Sequence, residues 1–125
     1  MPTILLVMLG GAIGAGFRYQ VGRVALAQMG PGFPWGTLIV NLLGGLLMGI
    51  LAATIANDGA SDRWPYLFLG VGVLGGFTTF SAFSFDVFAM LQRSEIALAA
   101  AYVGCSVAGS VMLLVIGFWL VRAPA

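Results

Sequence analysis

The chain has 125 residues, 61% of them hydrophobic and 7% charged, with a mean hydropathy of +1.08 and a formal net charge of +1. Ordinary soluble domains carry about 25% charged residues, so the composition excludes a soluble fold and points to an all-α integral membrane protein. With no histidine and one cysteine, Cys105, set in an apolar run, it also excludes a disulfide framework and a soft-metal ligand set, and no nucleic-acid partner is expected.

Four apolar stretches each reach the roughly 20 residues that a helix needs to cross a bilayer, so residues 1–125 are expected to form one transmembrane domain. Span one is predicted over residues 3–29. It is no cleavable signal, because Arg18 and Arg23 follow the apolar run instead of preceding it. Gly30-Pro31-Gly32-Phe33-Pro34 ends it, and span two, residues 35–56, starts at Trp35, an aromatic suited to the headgroup level. A polar turn over 57–63 leads to span three, residues 64–92. Arg93-Ser94-Glu95 then turns the chain into span four, residues 96–121, which Arg122 closes. Four spans put both termini on one side. The loop arginines divide evenly, Arg63 and Arg122 on one side against Arg23 and Arg93 on the other, with Arg18 tipping the balance only slightly. Insertion in both orientations follows, and the expected assembly is a dual-topology antiparallel homodimer in the lipid bilayer.

The spans carry polar residues at helical spacing. In span one, Gly10, Gly14 and Arg18 fall at i+4 positions beside Gly11 and Ala15. The glycines read as a close-packing stripe. Arg18 costs on the order of 2.5 to 3.5 kcal/mol at mid-bilayer, so it either snorkels or faces a wet, anion-accessible vestibule. Span two repeats the spacing with Thr37, Asn41 and Gly45, and span four with Tyr102, Ser106 and Ser110, three hydroxyls in a ladder. One serine in a span usually bonds its own helix, whereas three in register suggest a polar track.

Span three holds Gly70, Gly72, Gly75 and Gly76 ahead of Phe77-Thr78-Thr79-Phe80-Ser81-Ala82-Phe83-Ser84. Paired glycine followed by β-branched threonine disfavours helix, so the third helix is expected to break near mid-membrane. Irregular backbone at that depth persists only where it is buried or lines a site, and its freed carbonyls bind cations. Two antiparallel copies would bring two such breaks together around one small cation. Phe80 and Phe83 share a face, as do Ser81 and Ser84; the rings are either core or lipid-facing residues, or present positive edges to a small, hard anion.

These motifs resemble the CrcB/Fluc fluoride channels of bacteria and other microbes. The resemblance rests on Gly10-Gly11-Ala12-Ile13-Gly14-Ala15-Gly16-Phe17-Arg18-Tyr19, on Gly36-Thr37-Leu38-Ile39-Val40-Asn41 with Gly44 and Gly49, and on the stretch from Gly75 to Ser84. It implies an antiparallel homodimer that exports fluoride passively across the cell inner membrane and so limits its toxicity. Asn41, Phe80 and Phe83 would contact the ion, and Arg18 would lie in a vestibule. Thr37, Ser81, Ser84, Tyr102, Ser106 and Ser110 would line the route. The resemblance also implies a structural Na+ at the dimer centre on the backbone carbonyls of Gly75 and Thr78. Two positions depart from the family pattern: Ala82 stands where threonine is usual and Leu46 where phenylalanine is frequent. Asp86 fits an acidic position that commonly follows the motif and is expected to partner Arg18 or Arg23.

A proton-coupled multidrug exporter of similar size is the nearest rival, but it needs a membrane carboxylate that span one lacks. A membrane scaffold or assembly subunit would leave the hydroxyl ladders unexplained. An enzyme is not expected, because no histidine, paired carboxylates or serine with a base can be assembled.

Overall fold

The computed structural model describes residues 2–55 and 63–122. Among these residues are four stretches long and apolar enough to cross a membrane, Thr3–Met29, Trp35–Ile55, Tyr66–Gln92 and Ile96–Arg122. The chain is a multi-pass, all-helical membrane protein. Helix α1 is Thr3–Met29 and α2 is Trp35–Ile55. The third stretch comprises a π-helix, Tyr66–Leu74, then α3, Gly75–Phe77, and α4, Ser81–Gln92, and α5 is Ile96–Arg122. The polar turn expected over 57–63, Arg63 excepted, and the end of span two at Ala56 lie outside the described residues.

The connections follow from local chemistry. Gly30 takes φ +79°, a conformation open to glycine at little cost, and its N–H donates to Leu26 O at 2.9 Å, which caps α1. Between α4 and α5 Ser94 turns the chain with φ +59°, while Arg93 Nε pairs with Glu95 Oε1 at 2.8 Å, both side chains exposed.

Two packings organise the spans: α2 lies along α5, and α1 lies along the π-helix and α3. In lipid, apolar burial gives helices little reason to associate, so close backbone approach must supply the attraction. Glycine permits it here. A Cβ on Gly72 would sit 3.0 Å from Gly10 Cα, and one on Gly76 would sit 2.5 Å from Gly11 O, so α1 touches the third stretch backbone to backbone. A buried cluster of Leu38, Phe83, Met90, Ala99 and Tyr102 joins α2, α4 and α5, and Phe33 from the α1–α2 loop meets Tyr102 edge-on at 5.3 Å. Outside this cluster large apolar side chains are exposed on several helices, among them Ile4, Phe17, Phe88 and Leu120, as the surface of a lipid-embedded chain requires.

Candidate functional site

The site is built around residues 78–80, which lie between α3 and α4. Thr78 is extended, with φ −87° and ψ 160°. Polar backbone groups need partners in a membrane interior, and side chains from other helices meet those of Thr79 and Gly76. Asn41 on α2 donates from Nδ2 to Thr79 O at 3.0 Å and accepts the Thr79 N–H on Oδ1 at 2.8 Å. Arg18 on α1 donates from Nε to Gly76 O at 3.0 Å. The Thr79 hydroxyl accepts the Ala82 N–H at 3.1 Å, capping α4, and the Thr78 hydroxyl donates back to Leu74 O at 2.9 Å.

A cavity of about 410 Å³ opens beside this segment, and Asn41, Gly75, Thr78, Phe80, Phe83, Ser106 and Ser110 all line it. Its donors come from facing helices: Asn41 from α2, and Ser106 and Ser110 from α5. Ser110 Oγ donates to Asn41 O at 3.3 Å. Ser106 Oγ is buried and has no hydrogen-bond partner among the described residues. The Phe80 and Phe83 rings are 5.7 Å apart and tilted by 47°. They differ in environment, Phe83 being 7% exposed and Phe80 76%.

A second cavity, of about 430 Å³, gathers Arg18, Arg23, Tyr19, Thr37, Thr79 and Ala82. A third, of about 240 Å³ beneath the α1–α2 loop, brings Thr37 beside Asp86, Phe33 and Trp35. Thr37 and Arg18 therefore stand apart from the cavity of Asn41 and the serines. Ser81 and Ser84 are exposed and line none of the three, although Ser81 Oγ lies 3.4 Å from Thr79 Oγ1.

The expected hydroxyl ladder on α5 divides in three. Tyr102 is fully buried and donates to Asp86 Oδ2 at 2.8 Å, Ser110 is tied to Asn41, and Ser106 alone has no partner among the described residues. The expectation that Asp86 pairs with Arg18 or Arg23 is corrected. Arg18 is taken up by the carbonyl end of α3, where partial negative charge gathers, and Arg23 lies near Gln20 Oε1 at 3.4 Å and 6.0 Å above the Tyr19 ring. Asp86 instead satisfies a buried phenol one helix away, which needs an acceptor more than an arginine at the cavity wall needs a carboxylate.

Reading the residues alone missed Thr79, whose backbone and hydroxyl hold the segment, and the Asp86–Tyr102 pair. For Thr79 a signal existed: a hydroxyl three residues before a helical N–H is a capping pattern. For Asp86 and Tyr102, 16 residues apart on different helices, none did.

Fold and site together define a class: a small four-span membrane protein whose polar side chains converge on a non-helical segment and an adjoining cavity. The chain belongs to the CrcB family, since residues 5–118 match the family described as "CrcB-like protein, Camphor Resistance (CrcB)". It is 52% identical over 124 residues to the "Fluoride-specific ion channel FluC" of Hyphomonas neptunium, which covers 98% of this chain and 97% of that one. The protein of the same description from Sphingopyxis alaskensis is 46% identical over 122 residues, 98% of this chain and 97% of its own. That from Novosphingobium aromaticivorans is 47% identical over 127 residues and the full length of both.

Proposed function

We propose that this protein is a fluoride channel of a cell inner membrane, a passive pathway assembled from two antiparallel copies of the chain. One observation carries the reading: the buried Ser106 hydroxyl, without a partner among the described residues, lines the same cavity as Asn41 and the rings of Phe80 and Phe83. A buried hydroxyl without a partner costs about 1–3 kcal/mol, and an anion accepting its O–H removes that cost. Asn41 spends one amide N–H on Thr79 O and keeps a second for the cavity. The phenylalanine rings add positive edges without a fixed charge. Several weak donors let a strongly hydrated anion both enter and leave. The names of the relatives support fluoride as that anion, and such a leak down a gradient involves no enzymatic step.

The exposure of Phe80 supports a second copy over this face, and the even split of loop arginines supports its inverted orientation. Arg18 and Thr37 would form a vestibule, with Ser81 and Ser84 on the route beyond it. The break in the third helix would sit near mid-membrane and hold a structural sodium ion on the carbonyls of Gly75 and Thr78. The residues fit such an ion. In an uninterrupted helix these two oxygens would accept from the N–H groups of Thr79 and Ala82, but the first donates to Asn41 Oδ1 and the second to Thr79 Oγ1. Sodium would supply positive charge to these carbonyl oxygens.

Efflux from liposomes that contain the purified protein, followed with a fluoride electrode and repeated with chloride, tests the reading. Fluoride is expected to leave and chloride to stay; equal rates for the two anions would overturn it. Phe80→Ile should slow fluoride efflux while the dimer stays folded.

A further inference from the structure

We infer that Asn41 is a positioning residue for the carbonyl site as well as a contact of the anion cavity, so that one side chain couples the two. The inference rests on the carbonyl site proposed above. Asn41 spans two successive peptides: it holds the N–H of one and the C=O of the next, both belonging to Thr79. That grip does two things. It removes the Thr79 N–H from Gly75 O, its partner in a continuous helix, and so frees that oxygen. It also aims the neighbouring carbonyl: Thr78 O is trans to the Thr79 N–H in one planar peptide, so pinning the N–H towards α2 turns Thr78 O away from α2. Both oxygens of the site thus depend on one amide that does not itself belong to the site.

The same amide faces the cavity of Ser106 and Ser110, and Ser110 is bonded to the main chain of residue 41. By linkage, whatever stabilises the grip from the carbonyl side stabilises the orientation of Asn41 on the anion side, and the reverse holds equally. A residue acting only as an anion contact would leave the cation response untouched when replaced.

The experiment uses the purified full-length protein in fluoride-free buffer and reads the Na+ concentration that gives half-maximal protection against thermal unfolding. Asn41→Ala is expected to raise that concentration by about 10- to 100-fold, the usual effect of losing a residue that orients a metal ligand. Ser110→Ala, which removes a bond to Asn41 but leaves the grip on Thr79, should not change it. A wild type protected by Na+ alongside an unshifted Asn41→Ala overturns the positioning role alone. A wild type indifferent to Na+ overturns the carbonyl site and the inference with it. A second measurement needs no variant: amide hydrogen exchange at Thr79 in the wild type should quicken when Na+ is removed. Unchanged exchange in a protein that Na+ still protects overturns the coupling.

Discussion

Helices α1 and α2 each carry a polar-and-small stripe of the same spacing, Gly10, Gly14 and Arg18 on one and Thr37, Asn41 and Gly45 on the other. On α1 the glycines are closed against the backbone of the π-helix and α3, and the stripe ends in a single bond from Arg18 to Gly76 O. On α2 the stripe is closed at Gly45, where a Cβ would sit 2.6 Å from Ser110 O, but opens at Asn41 onto a cavity of about 410 Å³. The α1 stripe ends on α3, and the α2 stripe bonds the segment that follows it. Helical spacing alone does not separate a packing seam from a stripe that opens on a cavity; what separates them is whether a neighbouring backbone fills the space beside the stripe.

The comparison is broken most forcefully on the dry side. Gly10→Val would drive a side chain into the π-helix, where even a Cβ would stand 2.9 Å from Val73 N, and backbone cannot retreat as a side chain can. A loss of at least about 3 kcal/mol is expected, beyond the usual cost of overpacking, seen as loss of monodisperse protein in detergent. Gly16→Val, further along α1 on a side with nothing within 4 Å, should leave the melting temperature unchanged. If both variants behave alike, α1 is not sealed in the way described.

A smaller effect is expected where α5 meets α4. Tyr102→Phe removes the donor to Asp86 and leaves a carboxylate oxygen unpaired in a partly buried place. The cost should be about 1–3 kcal/mol, read as a lowered thermal midpoint. The smallest effect on stability sharpens the comparison on the open side. Ser106→Ala deletes a hydroxyl that no described residue uses, so the fold should change by less than about 1 kcal/mol or be slightly stabilised. Fluoride efflux should nevertheless fall. A Ser106→Ala protein of full flux would mean that the hydroxyl serves no ion.

Much of this architecture was legible in the sequence because a bilayer imposes its thickness on every span. Apolar length alone places α1 and α5, and turn chemistry at Gly30 and Ser94 marks where the chain reverses. Asn41, Ser106 and Ser110 stood out because polar groups are costly in lipid and occur there for a reason. The π-helix over Tyr66–Leu74 left no such mark: its glycines suit close packing of any helix, and the longer hydrogen-bond register is set with α1 lying against it. The partners of Arg18 and Asp86 were equally hidden, since charge invites pairing in the sequence while distance decides it in the fold.

The sequence by itself determined that the chain is a four-span membrane protein, that its third stretch is the weakest helix former, and which polar side chains need partners. Only the tertiary structure decided which partner each one found. Asn41 grips a peptide, Arg18 a carbonyl and Tyr102 a carboxylate, while Ser106 is left with none of these. The reason is physical: spacing along a helix sets which residues share a face, but a hydrogen bond forms over about 3 Å, and that distance is fixed by how closely the glycine seams let the helices approach.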